Sequence, residues 1–142
     1  MKLLIVNGPN INLLGAREPE IYGRETYAAL TERVRTFAEE RGHTCDFYQS
    51  NHEGDLVDCI QRAEGVYDGM VINPAAYTHY SIAIRDALAA VSVPAVEVHL
   101  SDISAREPFR RVSVTKDVCI AQIAGRGIEG YCDAVRRLEE EK

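Results

Sequence analysis

Strand patterns and helical patterns alternate along the whole chain, and this alternation limits the possible folds more than any other feature of the sequence. Strands are predicted at 2–7, 43–49, 68–73, 94–100 and 117–123, and helices near 24–41, 53–65, 78–91 and 127–139, with a helical turn near 102–107. Repeated βα units imply a parallel sheet covered by helices on both faces. We therefore predict one domain over residues 1–142, with a flavodoxin-like, doubly wound α/β fold and five strands in the order 2-1-3-4-5.

In this fold, ligands bind beyond the carboxyl ends of the strands, beside the point where the strand order reverses. Polar and titratable residues follow those ends at 7–23, 73–81 and 97–101. The first of these connections is long, and long loops in compact domains often act as lids. We predict that a lid loop of about 8–23 covers a site at this edge of the sheet.

The charge of the chain excludes some partners. Its net charge of -6 predicts no nucleic-acid or acidic-membrane partner, because such partners need a basic surface. Only three of the 16 basic residues are lysines, and the arginines that make up the rest suit recognition of carboxylates. The apolar run 3–6 is too short for a signal sequence or a membrane span, so a cytoplasmic location is expected.

Two motifs favour structural roles. GRGIEG at 125–130 has dinucleotide-binding spacing but no further strand after it, so we interpret it as a glycine turn into the last helix. His52 lacks a second histidine four residues on, as a zinc protease requires, and Ser50 with Glu53 fits a helix capping box. The four histidines show no metal-ligand spacing, so we expect no metal.

Two other proteins of this fold lack their key residues here. A phosphoacceptor receiver domain needs acidic residues at the ends of strands 1 and 3, where Asn7 and Asn73 stand. An FMN-binding flavodoxin favours hydroxyl residues in the first loop, whereas NGPNIN has no serine or threonine. A small-ligand-binding protein without turnover remains an alternative to an enzyme.

Four ordered blocks resemble one enzyme family. They are GPNINLLGAREPEIYG (8–23), QSNHEGDLVDCI (49–60), INPAAYTHYSIAIRDAL (72–88) and VEVHLSDISAREPFR (96–110). Together they are similar to the type II 3-dehydroquinate dehydratases. The resemblance implies reversible, cofactor-free dehydration of 3-dehydroquinate to 3-dehydroshikimate by anti elimination through an enolate, in the shikimate pathway or in quinate catabolism.

The resemblance assigns the general base to Tyr22, which would take a proton from C2 of the substrate. An ordinary tyrosine has a pKa near 10 and is almost fully protonated at neutral pH, so it needs a nearby cation. Arg17 and Arg106 are the candidates in the matching blocks. Taken alone, Tyr22 is more often a packing residue; its place in a long polar loop, five residues after an arginine, favours the base.

The resemblance also assigns the proton donor and the enolate contact. His99 would protonate the departing C1 hydroxyl, and Asn10 would stabilise the enolate through a water molecule. Glu97 lies two residues before His99 on the same face of a strand, so its carboxylate is expected to orient the imidazole and stabilise its protonated form.

Further positions match substrate contacts of the family. Asn73, His79 and Arg110 would hold the hydroxyls and the ring, and the backbone amides of Leu100 and Ser101 would bind the carboxylate. A strand that passes into a helical turn offers free N–H groups to an anion. Each side chain also has an ordinary interpretation as a turn, helix or surface residue.

Asp86 matches one more contact position and predicts an oligomer. Seven residues after His79 on one helix, it would lie about 10 Å away, too far for one small ligand to reach both. We therefore expect Asp86 to complete a neighbouring subunit's site, as the family's homo-oligomer, a dodecamer built as a tetramer of trimers, implies. An exposed helix carboxylate is the equal alternative.

The chain also departs from the family pattern. Asp102 replaces the usual asparagine and adds a negative charge beside the expected carboxylate site, while Ser104, Val112 and Ala121 replace other typical residues. None of these positions carries a transferred catalytic role. The three lysines begin the chain, end it or precede the last strand, so a Schiff-base mechanism is not expected.

Overall fold

The computed structural model describes residues 1–16, 18–22 and 25–142, except for the side chains of Pro19 and Tyr22. Its centre is one parallel sheet of five strands in the order β2-β1-β3-β4-β5, which confirms the predicted topology. The strands are β1 (Lys2–Asn7), β2 (Thr44–Gln49), β3 (Gly69–Asn73), β4 (Ala95–His99) and β5 (Ala121–Ala124).

Helices cover both faces of the sheet. They are α1 (Pro19–Tyr22), α2 (Tyr27–Glu40), α3 (Glu53–Arg62), α4 (Ile82–Ala90) and α5 (Glu129–Glu140). Short 3₁₀ helices span Ile11–Leu13, Ala75–His79, Ile103–Ala105, Pro108–Arg110 and Lys116–Val118. Among the described residues, no helix is long and apolar enough to cross a membrane.

The side-chain alternation of the strands divides the core into two layers. Leu3 and Ile5 of β1 face the layer that α2 and α5 cover, whereas Leu4 and Val6 face the layer that α3 and α4 cover. Strand β1 is buried on both faces from Leu3 onward, as expected of a central parallel strand.

Several predicted boundaries were wrong because local capping decides them. Helix α2 begins at Tyr27, since the Thr26 hydroxyl accepts a hydrogen bond from the Ala29 amide. The helix predicted at 78–91 is two elements, because Ser81 caps α4 and a separate 3₁₀ helix ends at His79. Strand β5 starts at Ala121 rather than 117, since Lys116–Val118 is a 3₁₀ helix.

The capping box predicted for Ser50 and Glu53 was also wrong. The cap residue of α3 is His52, whose amide donates to the Ser50 hydroxyl, and that hydroxyl donates to Asp55. Glu53 instead accepts a hydrogen bond from Ser81 across the α3–α4 interface. The glycine turn before α5 is confirmed, with Gly125 and Gly127 at positive φ.

A buried hydrogen-bonded group joins the carboxyl ends of β1 and β3. The two strands align Asn7 with Asn73. The Tyr131 hydroxyl of α5 donates to Asn7 Oδ1 at 2.6 Å and accepts from Asn73 Nδ2 at 3.0 Å. Beside them, a Cβ on Gly8 would lie 2.5 Å from the Pro74 carbonyl oxygen, so only glycine allows the first loop to approach the third this closely.

We expect Tyr131→Phe to lower the free energy of unfolding by about 1–3 kcal/mol, because it leaves two buried polar groups without a partner. Urea denaturation followed by circular dichroism measures this loss at constant protein concentration. Tyr67→Phe is the matched control: its hydroxyl donates to Asp46 at 2.6 Å in an exposed position, where water replaces the lost bond. Equal losses in the two variants would contradict the role of burial.

Candidate active site

A cleft of roughly 620 Å³, including its open mouth, lies at the carboxyl ends of the strands. The Pro9–Leu14 part of the first loop forms one wall, and segments after β3 and β4 form the others. Eight of the residues predicted for the site line it: Asn10, Asn73, His79, His99, Leu100, Ser101, Arg106 and Arg110.

The cleft has the opposite charge to the chain as a whole. Its described lining includes two arginines and two histidines but no aspartate or glutamate. Arg106 and Arg110, like Leu100 and Ser101, follow β4 in the chain and line the cleft. A cleft with this lining favours an anionic ligand, even though the net charge of the chain is -6.

The side chains of His99 and Glu97 form a buried pair on β4. The two residues share one face of the strand, and His99 Nε2 lies 2.8 Å from Glu97 Oε2. Because a carboxylate only accepts hydrogen bonds, Nε2 carries a proton. The other ring nitrogen, Nδ1, is therefore the atom with which His99 can give a proton to a ligand in the cleft.

Glu97 has no solvent exposure, yet it is held as a carboxylate. Burial raises its pKa, but hydrogen bonds from His99, Thr115 and Gln122 and the charge of His99 outweigh burial and lower the pKa to about 2. Ser113 donates a further hydrogen bond at 2.8 Å. These donors compensate for the desolvation of the charge.

The orientation of His79 follows from one backbone contact. Its Nδ1 lies 2.7 Å from the Val112 carbonyl oxygen, so Nδ1 carries the proton. Burial lowers the pKa of His79, and the positive charges of His99 and Arg110 act in the same direction. In the neutral ring that results, Nε2 is a hydrogen-bond acceptor.

The end of the cleft that favours an anion is formed by residues after β4. Arg110 Nε lies 3.0 Å from Glu107 Oε2, and its guanidinium stacks 5.1 Å from the centre of the Phe109 ring. Asp102 Oδ1 accepts hydrogen bonds from the amide and hydroxyl of Ser104. The amide of Ser104, the second residue of the 3₁₀ helix Ile103–Ala105, is thus already occupied, and Leu100 and Ser101 lie before the cap residue Asp102.

The position of Asn10 is set by the loop after β2. Asn10 adopts a left-handed conformation with φ 69°, which asparagine tolerates better than most residues. Its amide donates to Asn51 Oδ1 at 3.0 Å, and Gln49 Nε2 donates to the Gly8 carbonyl at 3.1 Å. The second loop therefore fixes the backbone from which Asn10 enters the cleft.

Known proteins are similar to this one over nearly all of the chain. Residues 1–139 match the family "Dehydroquinase class II". A 3-dehydroquinate dehydratase of Halalkalibacterium halodurans is 57% identical, over 97% of this chain and 95% of that protein. The chain belongs to the class II dehydroquinase family. The type II dehydroquinase crystal structures from Butyrivibrio crossotus and Propionibacterium acnes superpose with TM-scores of 0.96 and 0.94, at 50% and 41% identity. Each match covers 98% of this chain. It covers 97% of the Butyrivibrio crossotus chain and 96% of the Propionibacterium acnes chain.

Four predicted site residues are not part of the described cleft. Glu97 is fully buried and does not line it. Arg17 and the side chain of Tyr22 lie outside the described residues, although the Tyr22 backbone ends α1. Asp86 is exposed on α4 and does not line the cleft. The assumption that Asp86 and His79 share one helix was wrong, because His79 belongs to the preceding 3₁₀ helix.

Sequence reasoning missed the residues that surround Glu97. Ser113, Thr115 and Gln122 all donate hydrogen bonds to its carboxylate. Ser113 and Thr115 lie in a segment without regular structure, so no periodic pattern indicated that both face β4. Gln122 could have been found, since pairing of the predicted neighbours β4 and β5 places it beside Glu97.

We expect the Glu97 carboxylate to make the free energy of unfolding fall as the pH is lowered. Its ordinary pKa is 4.5 and its folded pKa is about 2, so between these values the unfolded chain binds the extra proton. The stabilisation is therefore complete above pH 4.5 and is lost as the pH falls toward 2.

Urea denaturation between about pH 5.5 and 3.5 tests this dependence. Wild type should lose up to about 1.4 kcal/mol per pH unit more than Glu97→Gln, which has no proton to bind there. Parallel losses in the two proteins would show that the pKa of Glu97 is ordinary.

Proposed function

We propose that this protein is a type II 3-dehydroquinate dehydratase, which converts 3-dehydroquinate to 3-dehydroshikimate and water. The observation that carries the proposal is the buried Glu97–His99 pair at the wall of a cationic cleft, in a chain that matches the class II family over residues 1–139. The pair supplies a proton donor, and the arginines supply a site for a carboxylate.

His99 is the proposed proton donor to the departing hydroxyl. An imidazolium at His99 gives its Nδ1 proton to the C1 hydroxyl, which leaves as water, while Nε2–H stays bonded to Glu97. The negative carboxylate stabilises the imidazolium before the transfer and holds the ring in place during it. For the next turnover, His99 regains a proton from solvent and the base releases to solvent the proton that it took from C2, so no net proton is consumed.

Tyr22 is the proposed base for the C2 proton, with the resulting enolate at C3 stabilised by Asn10 through water. Ionisation of the phenol needs cations, and Arg17 and Arg106 are proposed to supply them. Arg106 lines the cleft, and α1, which ends at Tyr22, lies on the connection whose first part forms one wall. We propose that this connection closes over bound substrate and brings Tyr22 to C2.

Substrate binding is proposed to divide between two ends of the cleft. The amides of Leu100 and Ser101 bind the carboxylate, with Arg110 close by, and Asn73 and His79 contact the hydroxyls. Asn73 is the most constrained of these, because its Nδ2 donates to the Tyr131 hydroxyl and its Oδ1 accepts from the Ala75 backbone amide. Asp102 follows Ser101 at the carboxylate end, and its Oδ1 accepts two hydrogen bonds from Ser104.

A direct assay decides between the enzyme and a binding protein of the same fold. Product formation is followed by the ultraviolet absorbance of the conjugated enone. None of the three lysines lines the described cleft, so turnover is expected to survive borohydride added with substrate. Binding of 3-dehydroquinate without turnover would refute the proposal, and a covalent mass gain on Lys116 would indicate a Schiff-base mechanism instead. The biosynthetic or catabolic role stays a prediction.

We expect Tyr22→Phe to lower kcat by about 10² to 10⁴, the usual contribution of a general base, with the fold unchanged. Arg17→Ala keeps the phenol and removes a cation, so its residual kcat should rise with pH toward the ordinary tyrosine pKa near 10. The measurement is kcat against pH for wild type and both variants. A profile of Arg17→Ala that is merely scaled down would mean that Arg17 only positions the loop or the substrate.

We also propose that the protein assembles as a homo-oligomer, a dodecamer of four trimers, in which Asp86 contacts a neighbouring site. Large apolar side chains are exposed next to the cleft and α4: Tyr80 is 63% exposed, Ile82 55%, Phe109 65% and Val112 54%. Such a patch is typical of a protein interface.

Light scattering should give about twelve times the 15.8 kDa chain mass under this proposal. Ile82→Glu should dissociate the assembly, because it places a charge in the apolar interface, whereas Val66→Glu is a control on an exposed valine of the α3–β3 loop. A fully active monomer would remove the role proposed for Asp86.

A further inference from the structure

We propose that Ser113 and Thr115 are positioning residues for the proton transfer by His99, on which they act through the Glu97 carboxylate. This inference rests on the proposed dehydratase function. Neither residue lines the cleft, and neither belongs to the four sequence blocks that resemble the family. Their effect on catalysis is therefore indirect, through the group that holds the imidazole.

The geometry around Glu97 is that of a fully bonded buried anion. Oε2 accepts from His99 Nε2 at 2.8 Å, from Ser113 Oγ at 2.8 Å and from Gln122 Nε2 at 2.6 Å. Thr115 Oγ1 donates to Oε1. With both oxygens bonded, the carboxylate cannot rotate without breaking at least one of these contacts, so the position of His99 is fixed as well.

The chemistry of the donors matters as much as their number. Hydroxyl and amide groups are neutral, so they stabilise the anion without cancelling its charge. Within the described chain, His99 is the only cationic group at salt-bridge distance from Glu97. An arginine in place of the hydroxyls would neutralise Glu97 and remove the electrostatic support for the imidazolium.

A bend in the chain brings two hydroxyls to one carboxylate. Ser113 and Thr115 flank Val114 in a segment without regular structure, which bends at Val114 and Thr115, and both hydroxyls donate to Glu97. Between them, the Val114 amide donates to the Thr78 carbonyl at 2.7 Å and the Val114 carbonyl accepts from Arg85 at 2.7 Å. These contacts hold the segment against the 3₁₀ helix after β3 and against α4.

Thr78 provides an internal contrast. Its buried hydroxyl lies 2.8 Å from both Ser113 Oγ and Thr115 Oγ1, but among the described residues it makes no hydrogen bond to Glu97. Removing this hydroxyl disturbs the same buried group and leaves the donors to the carboxylate in place. Thr78→Val and Thr115→Val thus separate a loss of packing and hydrogen bonding from a loss of support for Glu97.

Few titratable groups lie near Glu97, so its protonation can be followed separately. In the described chain they are His99 on the same strand and the thiol of Cys119, which precedes β5. Burial, and then the negative charge of Glu97, raise the pKa of Cys119 to about 12. The thiol is neutral in the acid range in which Glu97 titrates, so a carboxyl signal can be followed without interference from it.

The kinetic test compares kcat and KM of Thr115→Val, Thr115→Ser, Ser113→Ala and Thr78→Val with those of wild type. Thr115→Val and Ser113→Ala should each lose about tenfold in kcat, part of the 10² to 10⁴ that a general acid contributes. KM should stay within about twofold, because the substrate contacts are intact. Thr115→Ser restores the hydroxyl and should retain most of the wild-type kcat.

Thr78→Val should reduce stability with a smaller effect on kcat. Equal losses of kcat in Thr78→Val and Thr115→Val, or in Thr115→Ser and Thr115→Val, would show that the role is only structural and overturn the inference. If Thr115→Val does not fold, Ser113→Ala decides, since it removes one donor of the same kind.

A second measurement needs no turnover. Infrared difference spectra across acid pH report the carbonyl band of protonated Glu97, which Glu97→Gln assigns by its disappearance. Loss of the Thr115 or Ser113 hydroxyl should move the appearance of this band upward by about one pH unit, because a donor to the anion is gone. An unchanged midpoint in both variants would overturn the inference. An inactive wild type would instead refute the proposed function, with the infrared result still deciding this one.

Discussion

The in-register parallel pairing of β1 with β3 is the constraint on which the cleft depends. It places Asn7 beside Asn73 at the carboxyl ends of the two strands, where each strand passes into a loop. Two polar side chains brought together under an apolar layer need a partner, and Tyr131 of α5 provides one hydroxyl that bonds both. The last helix thereby fixes the floor of a site that the first and third loops surround.

A second polar centre, around Glu97, is built on the next strand by a different principle. At the floor, two neutral amides share the hydroxyl of a phenol, although the buried Asn7 Nδ2 has no hydrogen-bond partner among the described residues. On β4 a charged carboxylate is buried, and the cost of its desolvation is offset by neutral donors from two segments, residues 113–115 and β5. The first centre fixes the position of the loops around the cleft, whereas the second holds a negative charge beside the imidazole of His99.

Sequence predicted the sheet well because burial on both faces leaves a strong apolar signal in β1, β3 and β4. The boundaries at Tyr27, Ile82 and Ala121 were missed because single side-chain caps and short 3₁₀ turns decide them. For the site, residues at strand ends such as His99 were foreseeable from topology. Ser113 and Thr115 were not, since their role arises only when an irregular segment packs against β4.

The hydrogen bond between His79 and the Val112 carbonyl has a consequence for ligand choice. With Nδ1–H committed to the backbone, the neutral ring presents a lone pair to the cleft at Nε2. A ligand with a hydroxyl or an amine at that point gains a hydrogen bond, whereas a ligand with an ether or carbonyl oxygen there meets two facing lone pairs. Competitive inhibitors should therefore keep a donor at this position, and a fluorine or methoxy replacement should reveal which ring atom of the ligand lies against His79.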